Sequence, residues 1–141
     1  MTVTRRTARE WAIQMLTAAD LNPPGDVEAF VASQVEQISD VAREVGDGRI
    51  HGKLLAFAVE RVKGVFEKQG EIDAALGAAL ENWSLDRLGT VERAVLRLGC
   101  WERKFSDVPK AVVINEAVDL VNWFSTPKSR SLVNGVLDRI V

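Results

Sequence analysis

Arginines are concentrated at the start of the chain. Arg5, Arg6 and Arg9 are spaced i, i+1 and i+4, with Glu10 as the one acidic residue in the first ten. On a helix, Arg5 and Arg9 share a face and Arg6 lies about 100° away. A guanidinium pairs well with phosphate and its plane can stack on an unpaired base. On spacing alone two interpretations stay open: a local nucleic-acid contact, or an exposed basic helix start with no binding role.

The charge distribution places basic residues at both ends of the chain. The net charge is −2, which argues against a uniformly basic nucleic-acid binder. However, residues 127–139 contain Lys128, Arg130 and Arg139 against Asp138 alone. An uneven distribution of this kind is typical of a localised contact with a polyanion.

No residue pattern indicates catalysis, a metal or a cofactor. His51 is the one histidine and has no cysteine near it, so it does not form a zinc-type ligand set. Cys100 lies in an apolar helical pattern between Gly99 and Trp101, which favours a small buried hydrophobe over a nucleophile. We therefore predict no catalytic residue, no metal ligand and no enzyme activity.

Composition indicates one globular domain. The chain has 141 residues, of which 47% are hydrophobic, enough to bury a substantial core. No apolar run approaches the ~20 residues of a membrane-spanning helix, so no membrane partner is expected. Arg9 and Glu10 interrupt the apolar segment that a signal peptide would need. With a single cysteine, the chain is expected to be cytoplasmic.

The periodicity predicts an all-α fold of about seven helices in two small packed bundles, about 1–69 and 70–141. Apolar residues recur at helical spacing throughout, and no segment alternates with period two. The helices are expected after the caps Thr4 or Thr2 and Asp26, over 49–69, over 72–83, over 90–105 with Thr90 as its cap, from Pro109, and over 128–140. Residues 84–124 contain two strongly apolar helical patterns on either side of a short loop, and they predict a core helical hairpin.

Five sequence blocks resemble the NusB family of transcription antitermination factors over nearly the whole chain. They are Arg5-Arg6-x-Ala8-Arg9-Glu10, Trp83-Ser84-Leu85-Asp86-Arg87-Leu88, Val91-Glu92-Arg93-Ala94-Val95-Leu96-Arg97-Leu98-Gly99, Asp107-Val108-Pro109-Lys110-Ala111-Val112-Val113-Ile114-Asn115-Glu116-Ala117, and Val133-Asn134-Gly135-Val136-Leu137-Asp138. Each block is moderately specific, and all five in this order are highly specific.

The resemblance implies RNA binding without catalysis. Family members bind boxA elements of ribosomal RNA leader transcripts together with the ribosomal protein NusE, within an antitermination complex on RNA polymerase. By resemblance, the RNA would contact the arginines of the first helix and the start of the last helix. These residues are Arg5, Arg6, Arg9, Lys128, Arg130 and Leu132. Thr17 and Leu21 would belong to the NusE surface, and the protein would be a monomer or a homodimer.

Three positions depart from the family pattern. Thr7 stands where a third arginine is usual, Leu132 stands where an aromatic residue can stack on a base, and Thr17 replaces a tyrosine of the NusE contact. Two alternatives stay open beside antitermination. One is a NusB-like module acting in ribosomal RNA maturation, and the other is an adaptor that binds no RNA.

Overall fold

The computed structural model describes residues 4–45, 48–122 and 127–141, and for 42–45 and 48–51 the backbone alone. These ranges contain seven α-helices, one short 3-10 turn over Leu85–Arg87 and no strand, which confirms the all-α fold class. The helices are α1 (Arg5–Leu21), α2 (Val27–Val45), α3 (Gly48–Glu67), α4 (Gln69–Ala79), α5 (Thr90–Phe105), α6 (Lys110–Asn122) and α7 (Pro127–Arg139). The side chain of His51 lies outside the described residues.

Polar side chains cap the N-termini of the first two helices, as predicted. Thr4 and Thr7 form a capping box at the start of α1, in which each side chain satisfies the other residue's backbone N–H. The Asp26 carboxylate accepts a hydrogen bond from the backbone N–H of Ala29 at 3.1 Å. At α5 the N-cap is Gly89, one residue before the expected Thr90.

The fourth helix differs from its prediction. We expected it over 72–83 with Trp83 on its apolar face, but α4 begins at Gln69 and ends at Ala79. Leu80 is extended, at φ −85° and ψ 100°, and its N–H makes the last helical hydrogen bond to the Leu76 carbonyl. Trp83 therefore lies beyond the helix, and 47% of its surface is exposed.

The chain comprises two compact units, residues 1–63 and 64–141. In the first, α1 packs on α2. In the second, α5 contacts α4, α6 and α7, so the predicted hairpin of α5 and α6 is central to this unit. Gly64 permits one close approach there, because a Cβ at this position would lie 2.2 Å from Nε1 of the Trp101 indole. None of the described helices is both long and apolar enough to cross a membrane.

Polar contacts fix α7 on the second unit and so place its first turn. The Arg103 guanidinium donates to the carbonyls of Leu137 and Ile140, and Arg139 donates to the Ala79 carbonyl at 2.9 Å. Lys110 pairs with Asp138 at 2.6 Å, and this hydrogen bond lowers the pKa of the Asp138 carboxyl. These contacts lie toward the end of α7, whereas Pro127 and Lys128 at its start are exposed to solvent.

Candidate nucleic-acid interface

The first candidate surface is the start of α1. Arg5 and Arg6 are exposed in the first turn, directly after the Thr4 cap. This turn contains no acidic residue, although the positive end of the helix dipole would stabilise a carboxylate there. The two guanidinium groups are therefore placed where solvent, or a phosphate, can reach them.

The aromatic ring of Phe57 in α3 lies close to two of the arginines of α1. The guanidinium carbons of Arg5, Arg9 and Arg61 lie 5.6, 5.1 and 3.4 Å from the centroid of the Phe57 ring. All three distances are within the range of cation–π attraction. Arg61 also donates to Glu60 at 3.0 Å, so its charge is paired with a carboxylate. We refer to Arg5, Arg9, Arg61 and Phe57 as the Phe57 cluster.

The three sequence-predicted arginines are therefore not equivalent. Arg5 and Arg6 are exposed, whereas Arg9 is only 4% exposed. Arg9 lies beside the Phe57 ring, so the structure gives it a packed position instead of the outward one that an RNA contact would use. Sequence reasoning missed Phe57 and Arg61. Their i, i+4 spacing indicates a shared face of α3, but nothing local indicates that this face meets α1.

The second candidate surface is a pocket of about 430 Å³ at the start of α7. Its lining includes the apolar side chains of Trp83, Leu88 and Leu132, the cationic Arg87 and Lys128, and the carboxylate of Glu92. The structure thus brings together Lys128 and Leu132, two residues predicted from the sequence. The third, Arg130, is half-buried and donates a hydrogen bond to the side-chain carbonyl of Asn122.

Trp83 is one of the pocket residues that the sequence did not indicate as part of a site. Its indole is half-exposed, and the Lys128 ammonium lies 5.9 Å from its ring centroid. The Trp83–Leu88 block is one of the family motifs, but the apolar spacing of residues 72–83 predicts that Trp83 lies on a helix face. We refer to this site as the Trp83 pocket.

Hydrogen bonds hold the wall of the Trp83 pocket. Nη1 of Arg93 donates to the Leu88 carbonyl at 2.8 Å and to the Asp86 carbonyl at 3.3 Å, which fixes the 3-10 turn against α5. The Ser129 hydroxyl donates to Glu92 at 3.3 Å and so joins the starts of α7 and α5. The pocket is therefore a preformed part of the second unit.

The predicted partner residues lie late in α1. Leu21 is the last residue of the helix and is 71% exposed, which is unusual for a leucine. Thr17 is half-buried, and its Oγ1 atom is buried with no hydrogen-bond partner among the described residues.

The remaining polar candidates agree only in part with expectation. Cys100 is fully buried, and burial raises the pKa of its thiol to about 11, so it is protonated at neutral pH as a small core residue would be. Asn115 and Asn134, which interrupt the apolar runs of α6 and α7, are both exposed. In the described part of the chain, no group of three or more His, Cys, Asp or Glu residues could hold a metal ion.

The helices and these surfaces define an all-helical protein with a basic helix start in its first unit and a basic, aromatic pocket in its second. The NusB family model matches residues 6–141. The transcription antitermination protein NusB of Sorangium cellulosum is 42% identical over 137 residues, covering 96% of this chain and 90% of the relative. That of Nitratiruptor sp. is 38% identical over 137 residues, covering 97% of this chain and 91% of the relative.

Solved structures agree with the sequence relatives. NusB of T. maritima superposes with a TM-score of 0.78 at 31% identity, covering 99% of this chain and 92% of the other. A chain in the crystal structure of the antitermination factors NusB and NusE in complex with double-stranded RNA gives a TM-score of 0.76 at 32% identity, covering 96% of this chain and 94% of that one. The chain therefore belongs to the NusB family of transcription antitermination proteins, which confirms the resemblance expected from its motifs.

Proposed function

We propose that this protein is an antitermination factor that binds boxA-type sequences in ribosomal RNA leader transcripts together with NusE, within an antitermination complex on RNA polymerase. The observation that carries the proposal is the exposed pair Arg5 and Arg6 at the start of α1. The similarity to a chain solved with NusE and double-stranded RNA supports the same two classes of partner.

The Phe57 cluster gives a physical reason why this helix start suits a polyanion. Arg5 is both exposed and close to an aromatic face, which restricts its side chain before any ligand arrives. A side chain that is already ordered loses less entropy when it binds phosphate. Arg9 lies 5.1 Å from the centroid of the same ring and is 4% exposed, so it packs against Phe57 and is not itself placed to contact phosphate. In this proposal Arg5 and Arg6 contact phosphate, and Arg9 supports them.

In the second unit, exposed Lys128 is the proposed phosphate contact of the α7 start. Arg130 and Leu132 belong to the same surface, with Arg130 held by Asn122 and Leu132 facing the Trp83 pocket. The proposed NusE surface is the end of α1, where Leu21 offers exposed apolar area and Thr17 lies half-buried one turn earlier.

A binding titration tests the proposal. A boxA-containing RNA is titrated with the wild-type protein, with and without NusE, at several salt concentrations. Each lost phosphate contact lowers the salt slope of single-strand binding by about 0.7, so Arg5→Ala/Arg6→Ala should lower it by about 1.4. Sedimentation of the same samples reports whether the protein is a monomer or a homodimer.

Two control variants separate a specific contact from a general loss of charge. Arg5→Lys/Arg6→Lys keeps both charges and should keep the slope, while Lys104→Ala removes an exposed charge near the end of α5 and should change nothing. If wild-type protein binds NusE but no RNA, the adaptor interpretation replaces this one. An unchanged slope in Arg5→Ala/Arg6→Ala would remove these arginines from the RNA contact.

A further inference from the structure

We propose that Thr7 is a positioning residue for RNA binding: together with Thr4 it orders the helical turn that carries Arg5 and Arg6 before the RNA arrives. This inference rests on the proposed function and deepens it, because it assigns a role in binding to two side chains that need not touch the RNA.

Thr4 and Thr7 flank the two exposed arginines and bond to each other. The Thr4 hydroxyl accepts a hydrogen bond from the backbone N–H of Thr7 at 3.4 Å, and the Thr7 hydroxyl accepts one from the backbone N–H of Thr4 at 3.3 Å. Each hydroxyl thus satisfies a backbone donor that the start of a helix leaves without a helical partner. The segment closed by these two bonds consists of Arg5 and Arg6.

Burial of α1 begins after this turn. Ala8 is fully buried and Arg9 is 4% exposed, whereas Thr4, Arg5 and Arg6 are exposed. Packing therefore anchors the helix from Ala8 onward, while the turn before it has little buried surface to hold it. Helix ends fray unless they are tied down, so the reciprocal bonds between the two threonines determine how well this turn is ordered.

An ordered turn raises RNA affinity without contacting the RNA. When only a fraction of the molecules has a binding-competent turn, the apparent dissociation constant rises in inverse proportion to that fraction. Loss of a capping side chain lowers the equilibrium constant for forming the turn roughly fivefold. The dissociation constant can therefore rise by up to about fivefold when the cap is lost.

The chemistry of Thr7 suits a site for a polyanion. Thr7 is the third helical residue, where a glutamate can also complete a capping box. A glutamate there would place a negative charge beside Arg5 and Arg6 and would repel a phosphate. The hydroxyl of Thr7 supplies the same acceptor without a charge, and the first turn contains no acidic residue.

The test compares three substitutions of Thr7 in the titration with boxA-containing RNA. Thr7→Val has the same shape but no acceptor, and should raise the dissociation constant about two- to fivefold with no change in salt slope. Thr7→Gln restores a neutral acceptor and should return the dissociation constant to the wild-type value. Thr7→Glu restores the acceptor with a charge, so RNA affinity should fall while the turn stays helical, and this deficit should shrink as salt increases.

NMR reports the order of the turn directly. The Cα chemical shifts of Arg5 and Arg6 should move toward coil values in Thr7→Val and stay helical in Thr7→Gln and Thr7→Glu. Valine and threonine have similar helix propensities, so Thr7→Val should fold. Ser106→Ala is the matched control in the second unit, because it removes a neutral hydroxyl that bonds two backbone groups at the end of α5; it should leave RNA affinity unchanged.

The outcomes separate this inference from the proposed function. Wild-type affinity in Thr7→Val would overturn the inference and leave the role of Arg5 and Arg6 intact. Weaker RNA binding by Thr7→Val with helical shifts at both arginines would overturn it too, because the hydroxyl would then contact the RNA itself. If wild-type protein bound no RNA at all, the proposed function would be wrong and this inference with it.

Discussion

Substitution of Phe57 tests whether the ring aids RNA binding by ordering the Arg5 side chain, because the charge of Arg5 is left unchanged. In Phe57→Leu the three guanidinium groups remain but the aromatic face is lost. A cation–π pair contributes about 0.5–1 kcal/mol when exposed and about 2 kcal/mol when desolvated. Arg9 and Arg61, both 4% exposed, belong to the second class, and Arg5 belongs to the first. We therefore expect the free energy of unfolding to fall by up to about 5 kcal/mol.

The effect on RNA binding follows from the freedom that Arg5 regains. Holding one long side chain in place costs about 0.5–1.5 kcal/mol, so the RNA dissociation constant should rise roughly two- to tenfold. The salt slope should not change, because no charge has been removed. The assay is the RNA titration at several salt concentrations, with chemical denaturation to measure stability.

A matched control exists in the other unit. The Phe105 ring, at the end of α5, has the Lys68 ammonium 5.5 Å from its centroid. Phe105→Leu makes the same chemical change and removes a similar pair, but should leave RNA affinity at the wild-type value. If Phe57→Leu bound RNA as tightly as wild type, or if its salt slope fell, the proposed ordering of Arg5 by the ring would be refuted.

Three further predictions concern α7 and the core. Leu132→Phe adds an aromatic wall to the Trp83 pocket and should strengthen RNA binding in the same titration; no gain would argue against a base near this residue. Gly64→Ala should lower stability to denaturant by about 1–3 kcal/mol because its Cβ meets the Trp101 indole, whereas Gly77→Ala, with nothing within 4 Å, should raise it by up to about 1 kcal/mol. Equal effects of the two substitutions would contradict the close approach. Burial raises the pKa of the Cys100 thiol from 9.0 to about 11, so its contribution to stability is present below pH 9 and is lost as pH rises toward 11, measurable as a falling denaturation midpoint. At pH 8, iodoacetamide should label this thiol in denaturant and not in the native protein.

Local sequence signals predicted most helices well. The caps at Thr4 and Asp26, the apolar period of α5 and the proline before α6 act within a few residues, so they are legible without the rest of the fold. The fourth helix was less well predicted, because an apolar residue at the correct spacing does not prove that the helix continues to it. Trp83 continued the period of Ile72, Leu76 and Ala79, yet the backbone leaves the helix at Leu80.

The candidate site was predicted in part, and the errors have a common cause. The residue types and the spacing at the starts of α1 and α7 predicted both basic segments. They did not predict which side chains are exposed, since Arg9 is buried and Arg130 is held by Asn122. Periodicity tells which residues share a helix face, but not which side chain from elsewhere in the chain lies over that face.

The sequence by itself determined the helical class, the family and the two basic segments, because composition, period and motifs are properties of neighbouring residues. Only the tertiary structure decided which arginines are exposed, that Phe57 lies beside Arg5 and Arg9, and that Trp83 joins Lys128 at one pocket. These residues are far apart along the chain, Arg5 from Phe57 and Trp83 from Lys128. Their proximity results from packing, which no local pattern in either segment encodes.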